Sequence, residues 1–432
     1  MALLESGSVT LQRPEGQSQV EKEAVITNFV FPNLFQIFDF MKLRLLTQLC
    51  LVSYKTLIPT FFPKRSLNSV SRMSFQLGMD LHMVISNLEK LAPLSLAESW
   101  DNVGLLIEPS SPHIVKTMML TNDLTEQVMD EALEKKVNFI LSYHPPIFRP
   151  LKRLRSGTVR GAWKERLVVR ALEGRVAVYS PHTACDCVCG GVNDWLGQAL
   201  GLGSVVPISH SIASSTPSGA SHRLELSIGR DVDAEEIISH LKSVEGAGVQ
   251  VCTVRSNSED LLRVMVNCTG PALARALGLL APYTSVYQTV EVLALSKPPV
   301  PNAGPGRLCT LDEPVTIATA LQRIKAHLRL QHVRLALGAQ CTLESLVRTM
   351  AVCAGSGSSV LNGVKADLYL TGEMSHHDVL DAVATGTSVV LCDHSNTERG
   401  YLSQLGDRLK TQLEGKVDVL ISERDRDPLQ VM

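Results

Sequence analysis

The sequence predicts an α/β fold interrupted in its middle by a smaller ferredoxin-like (βαββαβ) domain. Short β-branched runs alternate with amphipathic helical stretches from about Met79 onward, the pattern of a sheet with helices on its faces. Residues 207–221 and 296–306 are rich in Ser, Pro and Gly and read as linkers. The segment between them carries its own strand–helix–strand–strand–helix–strand order, the split βαβ unit.

Each element follows from its local pattern. Leu81, Val84, Ile85, Leu88 and Leu91 recur at helical spacing, and that helix stops by Pro93. Residues 103–108 and 114–121 read as strands, 125–135 as a helix and 138–143 as a strand. A helix at 163–172 precedes a strand at 176–180. Between the linkers come strand 223–228, helix 233–241, strands 249–254 and 261–267, helix 271–280 and strand 287–295. Beyond them follow helix 315–328, strands 333–337, 347–354, 366–370, 389–392 and 417–421, and helices 375–384 and 397–413. The expected division is an extension over 1–78, an α/β lobe over 79–212, the inserted domain over 213–298 and a second α/β lobe over 299–432.

Composition narrows the function classes. A chain of 432 residues, 45% hydrophobic and 19% charged, is an ordinary globular protein of two or three structural units. A formal net charge of −2 gives no basic footprint for a phosphate backbone, so direct nucleic-acid binding is not expected. Binding to a DNA-bound protein stays open. Cys353 and Cys392 sit inside apolar strand-like runs, as reduced, buried thiols do. Cys185, Cys187 and Cys189 lack a second Cys/His pair at zinc-finger spacing, so they read as small loop residues.

No membrane span is expected: the best stretch, 43–62, is broken by Arg44, Gln48, Lys55 and Pro59. Residues 41–79 hold Lys42, Arg44, Lys55, Lys64, Arg65 and Arg72 without one acid, the composition of a mitochondrial presequence, but they lie behind Glu5, Glu15, Glu21 and Glu23. The expected location is the cytoplasm or nucleus for the full chain, and the mitochondrion if translation starts at Met41.

The chemistry-bearing residues cluster just past strand ends. His144 follows one strand; His182 and Asp186 follow the next. Glu373, His376 and His377 follow a third, and Asp393, His394 and Glu398 a fourth. In open α/β sheets that edge is where loops converge and ligands bind. Imidazole and carboxylate without thiolate suit zinc, manganese, iron or nickel rather than a Cys-rich structural zinc site. The spacing of four in His182/Asp186 and His394/Glu398 puts each pair on one helical face or across a strand-to-helix elbow.

The segments SYHPPIFRPLKRL, YSPHTACD with GVNDWL, TGEMSHHD and LCDHSNTERG, preceded by LAESWDNVGLL, resemble the Ngg-interacting-factor-three-like family of dinuclear-metal, GTP cyclohydrolase type 2-like proteins. The resemblance runs from about Met79 to the C-terminus. It implies a two-lobed α/β core with an inserted domain, a homohexameric ring, and a dinuclear metal site whose ligands here are His144, Asp186, His394 and Glu398. The bacterial pattern opens its first motif with two adjacent histidines, where this chain has Tyr143. A phenol with a pKa near 10 is a poor ligand at neutral pH, so Tyr143 marks a weak or lost ligand and the count is one or two ions per chain. His182, Glu373, His376 and His377 are then expected to orient ligands or carry protons.

Other motifs say less. Residues 354–359, AGSGSS, lack the Lys-Ser/Thr ending of a P-loop and read as a tight turn. No GxSxG elbow or HExxH helix is present. Arg149, Lys152, Arg153 and Arg155 form either a phosphate-attracting patch or a solvated loop. Two functions follow: a metal-dependent hydrolase of a nucleotide or phosphate-bearing small molecule, or a non-catalytic partner of transcription regulators, a coregulator or corepressor.

Overall fold

The computed structural model describes residues 78–432, apart from 158–160, 202, 230–231 and 256–259. The presequence-like stretch therefore lies, but for its last two residues, outside the described residues.

The first lobe opens with helix α1 (Leu81–Leu91), capped by Asp80, whose side chain accepts from the His82 amide. Strand β1 (Gly104–Ile107), β2 (Thr117–Thr121), helix α2 (Glu126–Glu134), β3 (Phe139–Ser142), α3 (Trp163–Glu173) and β4 (Ala177–Ser180) follow. Two short helices, α4 (His182–Cys187) and α5 (Val192–Gly197), lead to β5 (Gly203–Pro207). Strands β2, β3 and β4 run parallel, and β1 closes one edge antiparallel to β4. All side chains of β3 and β4 are buried, as a parallel sheet covered on both faces requires.

The inserted domain comprises β6 (His222–Ile228), α6 (Ala234–Lys242), β7 (Ala247–Arg255), β8 (Asp260–Cys268), α7 (Gly270–Leu280) and β9 (Glu291–Ala294). Its antiparallel order is β9-β6-β8-β7, the ferredoxin-like arrangement. The last strand is shorter than expected. Thr284–Tyr287 turns helical because that points Val286 into the insert's core, and pairing with β6 begins only at Glu291.

The second lobe contains β10 (Arg307–Thr316), α8 (Ile317–Leu328), β11 (Arg334–Ala336), β12 (Leu346–Ser356), β13 (Leu368–Glu373), α9 (His376–Ala384), β14 (Ser388–Leu391), α10 (Tyr401–Gln412) and β15 (Asp418–Ile421). Strands β12, β13 and β14 are parallel. Strand β10 was not anticipated; a register shift between Thr310 and Val315 accommodates Asp312, Glu313 and Pro314 within it.

The lobes exchange edge strands. β5 lies beside β10 in the second lobe's sheet, whereas the last strand, β15, pairs parallel to β2 in the first. One hydrophobic cluster spans both lobes, with Leu120 and Leu141 from one side and Met350, Val352 and Leu370 from the other. The carboxyl ends of both sets of parallel strands deliver residues to a shared centre. Among the described residues no helix is long and apolar enough to cross a membrane.

A candidate metal centre between two strand-end edges

Chain direction and strand length decide which side chains arrive. β2 hands on Asn122 and Asp123, β3 hands on Tyr143 and His144, and β4 leads through α4 to His182 and Asp186. β13 ends on Glu373. β14 is followed by His394, a 3-10 turn at Ser395–Thr397, and Glu398. The helix expected from 397 begins only at Tyr401. Thr397 explains the delay: its hydroxyl donates to the His394 carbonyl and accepts from the Gly355 amide at 2.8 Å. That turn aims Glu398 inward, where the residue is 3% exposed.

The result is a trio. Ligand atoms of His144, His394 and Glu398 all lie within 4.8 Å of one another. Glu398 sits between the imidazoles, its Oε2 3.3 Å from His144 Nε2 and its Oε1 3.5 Å from His394 Nε2. Each imidazole is held from behind by a carboxylate. His144 Nδ1 donates to Asp123 at 2.9 Å, and His394 Nδ1 to Glu373 at 3.1 Å. A carboxylate on Nδ1 fixes the tautomer and leaves Nε2 as the free lone pair, as at most metal-bound histidines. His144 Nε2 is buried with no hydrogen-bond partner; the Glu398 contact is close but does not meet hydrogen-bond geometry. Asn122 Nδ2 donates to Glu398 Oε2 at 3.1 Å.

Gly355 faces the same atoms. A Cβ there would come 2.7 Å from Glu398 Oε1 and 2.9 Å from His394 Nε2, and its φ of +66° is glycine territory. Backbone strain gathers beside the trio: His182 has φ +28° and Asp393 φ +65°, values side-chain-bearing residues seldom adopt and that cluster at functional sites.

The electrostatics favour positive charge at the trio. Burial pulls the His144 pKa down, but Glu398 and Asp123 outweigh it and bring it up to about 10. Burial raises Glu398, yet the neighbouring His144 wins and holds its carboxyl below the ordinary range. The trio thus takes either a proton or a metal ion in one place. A buried orphan imidazole nitrogen and a buried carboxylate between two imidazoles fit a divalent ion of nitrogen/oxygen preference.

The other expected residues divide. Asp186 and His182 line the same cavity of about 970 Å³ as the trio, but Asp186 is not a member of the three-residue group. Tyr143 is fully buried and donates its hydroxyl to Asp186 Oδ1. Burial, then the negative charge of Asp186, raise the Tyr143 pKa well above its ordinary value, so it stays a phenol. Asp186 itself is raised to about 6, by burial first, against the Tyr143 hydrogen bond that lowers it. His182 Nδ1 pairs with Asp101 at 2.8 Å, and its ring centroid is 5.2 Å from that of His144. His376 and His377 are exposed at the start of α9, their rings 5.6 Å apart, and do not line the cavity.

Sequence reasoning passed over Asp101, Asn122, Asp123 and Asp425. Asp123 follows a strand ending at Thr121, so the strand-end rule reached it in principle. Asp101 stood inside LAESWDNVGLL without an assigned role. Asp425, whose Oδ2 accepts the Asn122 amide proton at 2.6 Å, had no local signal.

Comparison with known proteins agrees with this architecture. The profile of the Duf34/NIF3 (NGG1p interacting factor 3) family matches residues 79–428. The chain is 53% identical over 368 residues to NIF3-like protein 1 of Homo sapiens, covering 85% of this chain and 97% of that protein. It is 30% identical over 363 residues to NGG1-interacting factor 3 of Saccharomyces cerevisiae, covering 81% and 96% respectively. A solved Staphylococcus aureus protein shares the fold with a TM-score of 0.61 at 24% identity, over 82% of this chain and 99% of that one. A Bacillus cereus protein related to NIF3 does so with a TM-score of 0.57 at 23% identity, over the same shares.

Proposed function

The chain belongs to the Duf34/NIF3 family, and from that premise we propose that it binds a divalent metal and acts as a metal-dependent hydrolase of a nucleotide or other phosphate-bearing small molecule. The observation that carries this reading is the convergence of His144, His394 and Glu398 within 4.8 Å. These three would hold the ion, with Asp123 and Glu373 orienting the imidazoles. When bound, such an ion supplies Lewis acidity towards a phosphoryl oxygen and acidifies water near neutral pH. His182, with Nδ1 committed to Asp101, keeps Nε2 for proton transfer. Asp186 would contribute to a second ion position, but one of its oxygens already serves the Tyr143 phenol. One ion per chain is therefore the expected loading, in a homo-oligomer that the family resemblance makes a hexamer.

Elemental analysis of purified protein dialysed against zinc or manganese tests the reading, beside Tyr143→His, His144→Ala and Glu398→Ala. One ion in the natural chain, two in Tyr143→His and none in the alanine variants is the expected result; a metal-free natural protein sinks it. Hydrolysis of a nucleotide and phosphoester panel by the loaded protein, but not by Glu398→Ala, tests the catalytic half. Equal turnover by both would remove it.

A second reading is a non-catalytic interaction protein that partners a transcriptional coregulator. The Saccharomyces cerevisiae relative's name, NGG1-interacting factor 3, supports it, as does the loss of a histidine at Tyr143. Partner capture that survives both His144→Ala and Glu398→Ala is its expected signature.

A further inference from the structure

We infer that Trp100 and Phe148 form a ring-stacking wall of the metal cavity, which makes the substrate a nucleoside phosphate held by its base there; this deepens the hydrolase reading and rests on it. Both side chains line the cavity that contains His144, His394 and Glu398. Both are open to solvent, Trp100 at 61% and Phe148 at 42% exposed. Leaving an indole in water forfeits stabilisation that burial of so large an apolar surface supplies. Here the exposure is enforced by the neighbours.

Asp101, its side chain fully buried, accepts from the Thr183 hydroxyl at 2.6 Å and the Thr183 amide at 3.2 Å as well as from His182. Asn102 donates to the carbonyl of Ile147, the residue before Phe148. The Glu98 amide donates to Thr183 Oγ1 at 3.0 Å. The segment is thus fastened on both sides of Trp100, and the loop carrying Phe148 is fastened to it. What remains free between these anchors is the ring pair, with centroids 6.0 Å apart and planes at 58°.

The rings continue inward. Trp100 meets His182 edge-on at 6.1 Å, and His182 lies 5.2 Å from His144. An occupant stacked on the wall therefore extends directly to the trio. A planar ring at one end and a phosphate at the other satisfy the aromatic wall and a divalent ion together. Every nucleobase offers the π-face that such a wall requires.

The test uses the full chain loaded with zinc or manganese, titrated calorimetrically with adenosine monophosphate and with ribose phosphate, which lacks the ring. Metal content is measured on the same samples. The expected result is adenosine monophosphate binding roughly tenfold or more tighter, with tryptophan emission quenched. Trp100→Ala loses that advantage while its ribose phosphate affinity stays, and Trp100→Phe restores most of it. Equal affinity for the two ligands in metal-loaded protein, no binding of adenosine monophosphate, or an equal loss for both in Trp100→Ala overturns the inference and leaves the metal centre standing. A ring preference in protein that takes up no metal supports the wall and overturns the metal reading instead.

Discussion

Replacing Glu131 by Gln should loosen the C-terminal tail from α2 and weaken the metal centre at a distance. The Glu131 residue is 2% exposed and accepts hydrogen bonds from Lys135 at 2.8 Å, the Ser422 hydroxyl at 2.6 Å, and the amides of Glu423 and Arg424 at 3.0 and 3.1 Å. Burial alone would raise its pKa, but these donors outweigh it and bring it from 4.5 down to about 2. At about 1.4 kcal/mol for each tenfold in acidity, the shift caps the linked stability near 3 kcal/mol, and solvent screening brings it to about 2 kcal/mol. Because the folded-state pKa is depressed, this contribution is complete above pH ~4.5 and is lost as pH falls towards ~2. Gln keeps the shape but turns an N–H group towards amide donors.

Urea unfolding followed by tryptophan emission should therefore show Glu131→Gln destabilised by about 2 kcal/mol at pH 7. The gap should close as the pH approaches ~2. The tail also places Asp425 against the Asn122 amide and Asp427 against Ser395, next to the trio, so metal affinity should fall in the same variant. A gap below about 0.5 kcal/mol, or one that does not change with pH, would refute the reasoning.

Removing either carboxylate that backs an imidazole, by Asp123→Asn or Glu373→Gln, should weaken metal binding about 10–100-fold with little change in fold; competition with a chelating dye reads it, and unchanged affinity counts against the trio. Gly355→Ala should abolish tight metal binding, since its Cβ would press on Glu398 Oε1 and His394 Nε2, and should destabilise by about 1–3 kcal/mol at a left-handed backbone position. Metal uptake should release about one proton per ion at pH 7, because a His144 pKa near 10 means the proton must leave first. Calorimetry in buffers of different ionisation enthalpy measures this, and affinity that is flat between pH 6 and 8 would contradict it.

The α/β alternation, the βαββαβ insert and the strand-end clusters were legible in the sequence because each rests on local physics. Period-two burial, helical spacing and turn residues act between neighbours a few positions apart. The rule that ligands gather past strand carboxyl ends picked out the clusters at His144, at His182 and Asp186, at Glu373, His376 and His377, and at Asp393, His394 and Glu398; the choice of four ligands among them came from the family resemblance. Pairing between distant segments has no such local trace. No pattern in 418–421 says that this strand joins the first lobe beside β2, or that Asp425 reaches back across 303 residues to Asn122. His376 and His377 share a strand-end position with Glu373, yet the turn into α9 leaves them in solvent while Glu373 meets His394. Tyr143 reads in sequence as a missing ligand, whereas its phenol is the buried partner of Asp186. The residue types available at the centre are set by the chain's local order. Which of them touch is set by the edges that pair and the core that two lobes share, and only the tertiary structure decides that.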